Sequence, residues 1–258
     1  MQNSRWYLPV IYGLSVIIFL QYSGADNWLA SQIFQINQAW SWQHAWLLDK
    51  IIHKGGRSIV AIWFVVILVA TLLAYITKAL NKNQRLALFY TVVASTLSIL
   101  IISGLKQIAM LPCPWDVQGM GGELPYRYLH QLFSSRETGL QCFPAGHASG
   151  GYALFSLYFA AQIWRSGNLS PVSRYWLLPA VLIGALFGIG QQLRGAHFLS
   201  HDLTTALLCW LCCRALWFAF SRKLSPVHQA RKHSYVGTLN LAKRATINTQ
   251  GLKLMEKS

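Results

Sequence analysis

Residues 86–106 read LALFYTVVASTLSILIISGLK, twenty residues without a charge closed by a lysine. A helix needs about 20 predominantly apolar residues to cross the hydrocarbon core of a bilayer, so this run has the length and composition of a transmembrane span. Five further stretches approach that specification: Trp6–Tyr22, Ser58–Thr77, Ala148–Trp164, Tyr175–Leu193 and Leu203–Phe220. The first, fourth and sixth spans in chain order are the short ones. Of the 258 residues, 54% are hydrophobic and 11% charged, against about 25% charged in soluble domains. The expected fold is an all-α integral membrane bundle of six transmembrane helices over residues 1–220. Residues 221–258, polar and basic without a long apolar run, are expected to form a solvated, mobile cytoplasmic tail.

Ser23-Gly24-Ala25, after the first stretch, resembles a signal cleavage site. Only Arg5 charges the segment before it, and Trp6-Tyr7 has the character of an interfacial anchor, so a retained span is expected.

Twenty-two basic residues against seven acidic ones raise the question of nucleic acid, but their placement answers it differently. Six spans put the N-terminus, residues 78–85, residues 165–174 and the tail on one side, with 14 basic residues and a single acid, Glu256. The other side has 7 basic residues and six acids, and Arg214 falls within the last span. By the positive-inside rule both termini are cytoplasmic and the remaining loops extracytoplasmic, in a plasma (inner) membrane. The charge records topology, and no nucleic-acid partner is expected. The first outer loop, Ser23–Arg57, carries Trp28, Trp40, Trp42 and Trp46 among aliphatic residues, the pattern of amphipathic helices at a membrane surface that shape lipid access.

The unusual polar residues gather in two other outer loops. One opens KQIAMLPCPWD from Lys106 and closes CFPAGH at His147; the second reads RGAHFLSHD from Arg194 to Asp202. Singly, each has a plain explanation, a snorkelling lysine, a histidine bonded to a carbonyl, an arginine on a lipid phosphate. Together they describe a phosphate site. Cations meet an anion, Gly146 permits close backbone approach at a helix start, and histidines stand ready to move protons or attack phosphorus.

These elements resemble the type 2 phosphatidic acid phosphatase superfamily, whose pattern is Lys-x6-Arg-Pro, then Pro-Ser-Gly-His, then Ser-Arg-x5-His-x3-Asp. Lys106 and Pro114 match the first element, Pro144, Gly146 and His147 the second, and Gly195-Ala196-His197-Phe198-x-Ser200 resembles the third. The resemblance implies a membrane lipid phosphatase without a cofactor or metal. His197 would attack phosphorus and form a phosphohistidine, His147 would protonate the leaving oxygen, and Lys106, Gly146 and Arg194 would hold the phosphoryl oxygens. A zinc site is the rival use of clustered histidines, but the loops lack HExxH or paired Cys-x2-Cys spacing.

Four positions depart from the pattern. Cys113 and Gln191 occupy arginine positions, Ala145 replaces serine, and His201 stands where the orienting aspartate belongs, with Asp202 one residue later. Arg194, three residues after Gln191, shares its helical face and is positioned to replace the second arginine. Arg127 and Arg136 are the candidates to replace the first. Either a bulge brings Asp202 to His197, or His201 orients it.

Substrates expected on this resemblance are a membrane phospholipid phosphate or a polyprenyl diphosphate. A lipid-to-lipid phosphotransferase and a non-catalytic phospholipid-binding protein are the alternatives, and oligomeric state is not legible. Cys113 and Cys142 end one extracytoplasmic loop, and a disulfide between them is expected to hold Lys106 and His147 in register. The alternative is two unpaired thiols.

Overall fold

The computed structural model describes residues 7–133, 140–165 and 171–222. Their architecture is all-helical: α1 (Leu8–Tyr22), α2 (Ala25–Ile36), α3 (Gly56–Thr77), α4 (Lys82–Ile108), α5 (Gly146–Tyr152), α6 (Phe155–Trp164), α7 (Leu177–Leu193) and α8 (Leu199–Ser221). A π-helical segment, Leu47–Gly55, runs directly into α3. No strand forms among the described residues, where Val117 with Leu124 and Gln118 with Gly122 meet only as isolated bridges.

Among the described residues, four helical stretches are long and apolar enough to cross a bilayer: Leu47–Thr77, Lys82–Ile108, Arg174–Leu193 and Leu199–Ser221. Helices α1 and α2, bent by 69°, add a fifth if they are taken as one broken span. The chain is thus a multi-pass membrane protein, with four or five such spans among the described residues where six were expected. The shortfall lies in the short stretches: Trp6–Tyr22 yields a 15-residue helix, and Ala148–Trp164 is divided between α5 and α6, of seven and ten residues. The tail beyond Arg222 lies outside the described residues.

The start of α4 is set locally. Asn81 Oδ1 accepts from Gln84 N at 3.0 Å, and Gln84 Oε1 accepts from Asn81 N at 3.0 Å, a reciprocal cap that satisfies two donors otherwise left open at a helix start. From Lys82 the helix rises about 1.5 Å per residue. Lys106 in its last turn therefore stands roughly 36 Å from that basic end, more than a bilayer core away.

α4 is central, packed against α6 and α8 with α3 outside it, while α5 lies on α7 and α8, and α1 on α8. The core holds Ala87, Tyr90, Ala94 and Ile102 of α4, Phe155, Phe159 and Ile163 of α6, and Cys209, Cys213 and Trp217 of α8. Lipid drives no hydrophobic association between helices, so close packing and interhelical hydrogen bonds must hold them. Tyr90 donates to the Cys213 carbonyl at 2.6 Å, and the Ser95 and Ser156 hydroxyls pair at 2.9 Å. At Gly151 the backbone of α5 meets that of α7 so closely that a side-chain carbon would lie 2.3 Å from Gly184 N. Ile59, Ile62, Val66, Leu72 and Ile76 of α3 are exposed, an apolar surface suited to lipid.

The first outer segment is more deeply built in than a surface helix would be. Trp28, Trp42 and Trp46 are exposed, but Trp40 is buried against Phe34 and donates from Nε1 to the Met120 carbonyl at 2.8 Å. Asp26 of α2 is also buried, and it accepts from the Ser200 backbone N–H at 3.0 Å and from the Ser200 hydroxyl at 2.6 Å. Gln21 of α1 donates to Asp26 and Ser200 and accepts from Leu129 N at 2.7 Å. This polar knot fixes α1, α2 and the 126–129 loop to the first turn of α8, where His201 sits.

Candidate active site

The chain leaves α4 through Ala109–Leu111 and returns at Phe143, which pack together with partly buried Leu129 and Leu132. A disulfide joins Cys113 to Cys142 across this loop, with Cα atoms 5.2 Å apart. Cys113 N–H is in turn held by Asp116 Oδ2 at 2.9 Å. Cys113, Asp116 and Cys142 are the His/Cys/Asp/Glu group whose ligand atoms cluster within 4.8 Å among the described residues. Both of its sulfurs are taken by the disulfide, so it offers a cation only one carboxylate.

Both histidines of the RGAHFLSHD segment converge on the Cys142 carbonyl, His197 Nδ1 at 2.7 Å and His201 Nδ1 at 3.0 Å. A carbonyl oxygen only accepts, so each neutral ring carries its proton on Nδ1 and keeps Nε2 basic. Burial above all, then the charges of Lys106 and His201, holds the His197 imidazole well below its ordinary pKa. His201 is wedged edge-on between Phe143 and Phe198, with ring centroids 5.2 and 5.4 Å away.

Asp202 makes no hydrogen bond to His197. Its Oδ2 accepts from Gln192 Nε2 at 2.5 Å, and Oδ1 has no hydrogen-bond partner among the described residues. His197 lies before α8, which begins at Leu199 after an extended Phe198, so helical spacing does not relate the two residues, and the Asp202 carboxylate turns to Gln192 instead. The acceptor at His197 is instead a backbone carbonyl, invisible to residue-type reasoning.

Lys106, Gly146 and His147 line one cavity of about 550 Å3, whose lining does not include His197, His201 or Arg194. A side-chain carbon at Gly146 would lie 3.5 Å from Lys106 Nζ, so the ammonium sits directly over the start of α5. Two further side chains line the same space, the Arg57 guanidinium and the His53 imidazole. The His53 and His147 rings are in contact, with centroids 4.2 Å apart. Burial first, then His53, Lys106, Arg57 and Arg194, pushes the His147 imidazole down to about 3. The remaining wall is apolar: Val60, Ala61, Phe64, Ile99 and Phe187.

The candidate arginines are placed differently. Arg194 is buried at the end of α7, donating Nε to the Gln43 carbonyl at 2.9 Å and Nη1 to Gln191 Oε1 at 3.4 Å, with Nη2 3.5 Å from Asp49. It does share the face of Gln191, but its donors are engaged with the 43–49 segment. Arg127 reaches the Met110 carbonyl at 3.4 Å and does not line the cavity. Arg136 lies outside the described residues. His53 and Arg57 belong to no motif of the sequence; the signal that held them was an outer loop ending in Asp49, His53, Lys54 and Arg57 ahead of a span.

Residues 86–225, more than half of the chain, match the family model of the PAP2 superfamily. The matched region contains Lys106, His147, Arg194 and His197 and excludes His53 and Arg57. No curated protein and no solved structure matches the chain.

Proposed function

Because the chain belongs to the PAP2 superfamily, we propose that it is an integral membrane phosphatase that removes phosphate from a lipid phosphate or lipid diphosphate. The carrying observation is the two-sided cavity. Lys106, His147, His53 and Arg57 suit an anion, and the adjoining apolar wall of Val60, Ala61, Phe64, Ile99 and Phe187 suits a hydrocarbon chain. A soluble phosphate ester would leave that wall without a partner, whereas a lipid phosphate fills both parts.

In this reading His197 Nε2 attacks phosphorus, forming the N–P bond as the bond to the lipid oxygen breaks. The Nδ1–H bond to the Cys142 carbonyl supports that role by keeping Nε2 unprotonated. His147 gives a proton to the departing oxygen, then takes one from the water that hydrolyses the phosphohistidine. Burial first, and the neighbouring cations after it, depress its pKa in a site without an anion. A bound phosphate opposes the cationic part of that shift and so favours the protonated ring as substrate arrives.

The reaction is proposed for the extracytoplasmic face of a plasma membrane, with six spans counting α5 and α6 as one and both termini cytoplasmic. The sequence-wide bias of basic residues supports this. Labelling of a cysteine introduced at Gly122 from the outer face tests it, and labelling only from the inner face reverses it.

The deciding experiment offers detergent-purified protein a panel of phospholipid phosphates and polyprenyl diphosphates, with chelator present and free phosphate as readout. Release by the parent protein and none by a folded His197→Ala variant is the expected result. Label passing into a second lipid would make the protein a phosphotransferase, and binding without release a non-catalytic module. If His201→Ala is inactive while His197→Ala is active, the attacking histidine is misassigned.

A further inference from the structure

The described residues of the matched region supply this site with few cations. Cys113 and Gln191 stand at the two arginine positions of the motif, Arg194 is committed to Gln43, Gln191 and Asp49, and Arg127 reaches the Met110 carbonyl away from the cavity. Lys106 remains. One ammonium is a weak counterpart for a phosphate that must leave water, since an anion removed from solvent needs charge pairing and several hydrogen bonds.

The cavity itself shows where the second cation is. Arg57, in the first turn of α3, lines it together with His53, Lys106 and His147. Asp49, the carboxylate nearest this segment in sequence, is already paired with Lys54 at 2.9 Å and approached by Arg194 at 3.5 Å. Among the described residues no carboxylate pairs with Arg57. The segment is firmly seated: Phe187 of α7 packs where a side chain at Gly56 would be, 2.6 Å from the ring. The π-helical winding from Leu47 to Gly55 then brings Asp49 and His53 to one side, 3.7 Å apart, with the His53 ring against His147.

On this geometry we propose that Arg57 is a phosphate-binding residue of the site, supplied from outside the family-matched region in place of the missing motif arginines. A guanidinium presents paired donors to phosphate oxygens, which a lysine at the same place does not. Arg57 is exposed and lines the cavity together with Lys106, so its donors are open to an anion that enters from solvent.

The inference rests on the reading of the cavity as a phosphate site, and the test separates the two. Inorganic phosphate is the probe, titrated calorimetrically into detergent-purified protein and used as a competitor of lipid turnover, at fixed ionic strength. Arg57→Ala is expected to weaken phosphate binding about tenfold or more and to raise KM by more than it lowers kcat. Arg57→Lys should recover part of the loss, and Lys54→Ala, at an exposed lysine outside the cavity lining, should change neither value. An unchanged thermal midpoint in Arg57→Ala shows that binding, not folding, was altered. If Lys106→Ala loses phosphate while Arg57→Ala binds it like the parent, the inference is overturned and the phosphate site stands. If the parent binds phosphate through Arg57 but releases none from any lipid, the inference stands and hydrolysis falls. A parent protein that binds no phosphate overturns the inference outright.

Discussion

Reducing the Cys113–Cys142 disulfide is expected to slow turnover more than it weakens substrate binding. The bond closes a loop across 29 residues, which in the chain-entropy model contributes about 3.5 kcal/mol of stability. The thermal midpoint should therefore fall on reduction. The effect on rate comes from position. Cys142 presents the carbonyl on which His197 Nδ1 and His201 Nδ1 converge at 2.7 and 3.0 Å, and the disulfide ties that carbonyl to Cys113 and, through its N–H, to Asp116. Displacing a reacting group by about 1 Å can cost roughly 10²-fold. A freed Cys142 should accordingly lower kcat between about tenfold and 10²-fold, while KM, set by the cavity lining, moves less. The assay is phosphate release before and after phosphine reduction, with alkylation and mass spectrometry reporting the thiols. Cys142→Ala runs in parallel, because it keeps the carbonyl and removes only the tether. Unchanged kcat in protein alkylated fully at both cysteines refutes the positioning argument. Alkylation of Cys113 before any reductant would remove the disulfide itself.

Two further outcomes follow from buried groups. Asp26→Ala should destabilise the protein by on the order of 3 kcal/mol, because it strands the Ser200 N–H and hydroxyl that the carboxylate now accepts; an unchanged thermal midpoint would show that water satisfies both. His197 and His147 are both held below the ordinary imidazole value, burial being the larger cause at each, so the fold keeps them neutral where the unfolded chain takes up protons. Stability should thus be complete above the unfolded value of 6.5 and decline as pH falls toward the folded His147 value of about 3. The slope is at most about 1.4 kcal/mol per pH unit per histidine. Thermal midpoints at pH 7 and 5 measure the decline, and His147→Gln should shrink it; a midpoint that rises on acidification reverses the sign of the argument.

How much of this was legible in the sequence depends on what kind of signal each part carries. The span ending at Lys106 was readable because length and apolarity are local properties, and α4 runs from Lys82 to Ile108. The short stretches were not, because a break such as that at Ala153-Leu154 depends on what packs beside it. The pairing of Cys113 with Cys142 was readable because both cysteines end one loop. Asp26 gave no sign, since its partners Gln21 and Ser200 lie 5 and 174 residues away and only the tertiary fold brings them together.

The candidate site divides along the same line. Its histidines, lysine and glycine are legible as residue types at a spacing, but the departures from that spacing looked like losses. At His197 the carboxylate expected of Asp202 has given way to the Cys142 carbonyl, a group every residue possesses and no sequence advertises. At the cavity, His53 comes from a π-helical segment whose winding no 3.6-residue pattern would have phased, and Arg57 from the first turn of the α-helix it runs into. A search for compensation that looks only for the same residue type nearby, as with Arg194, finds a group whose donors are engaged elsewhere. What has to be conserved for phosphate chemistry is an acceptor at Nδ1 and positive charge around the anion. Backbone and an upstream helix can supply both, so four altered motif positions do not by themselves argue for a dead site.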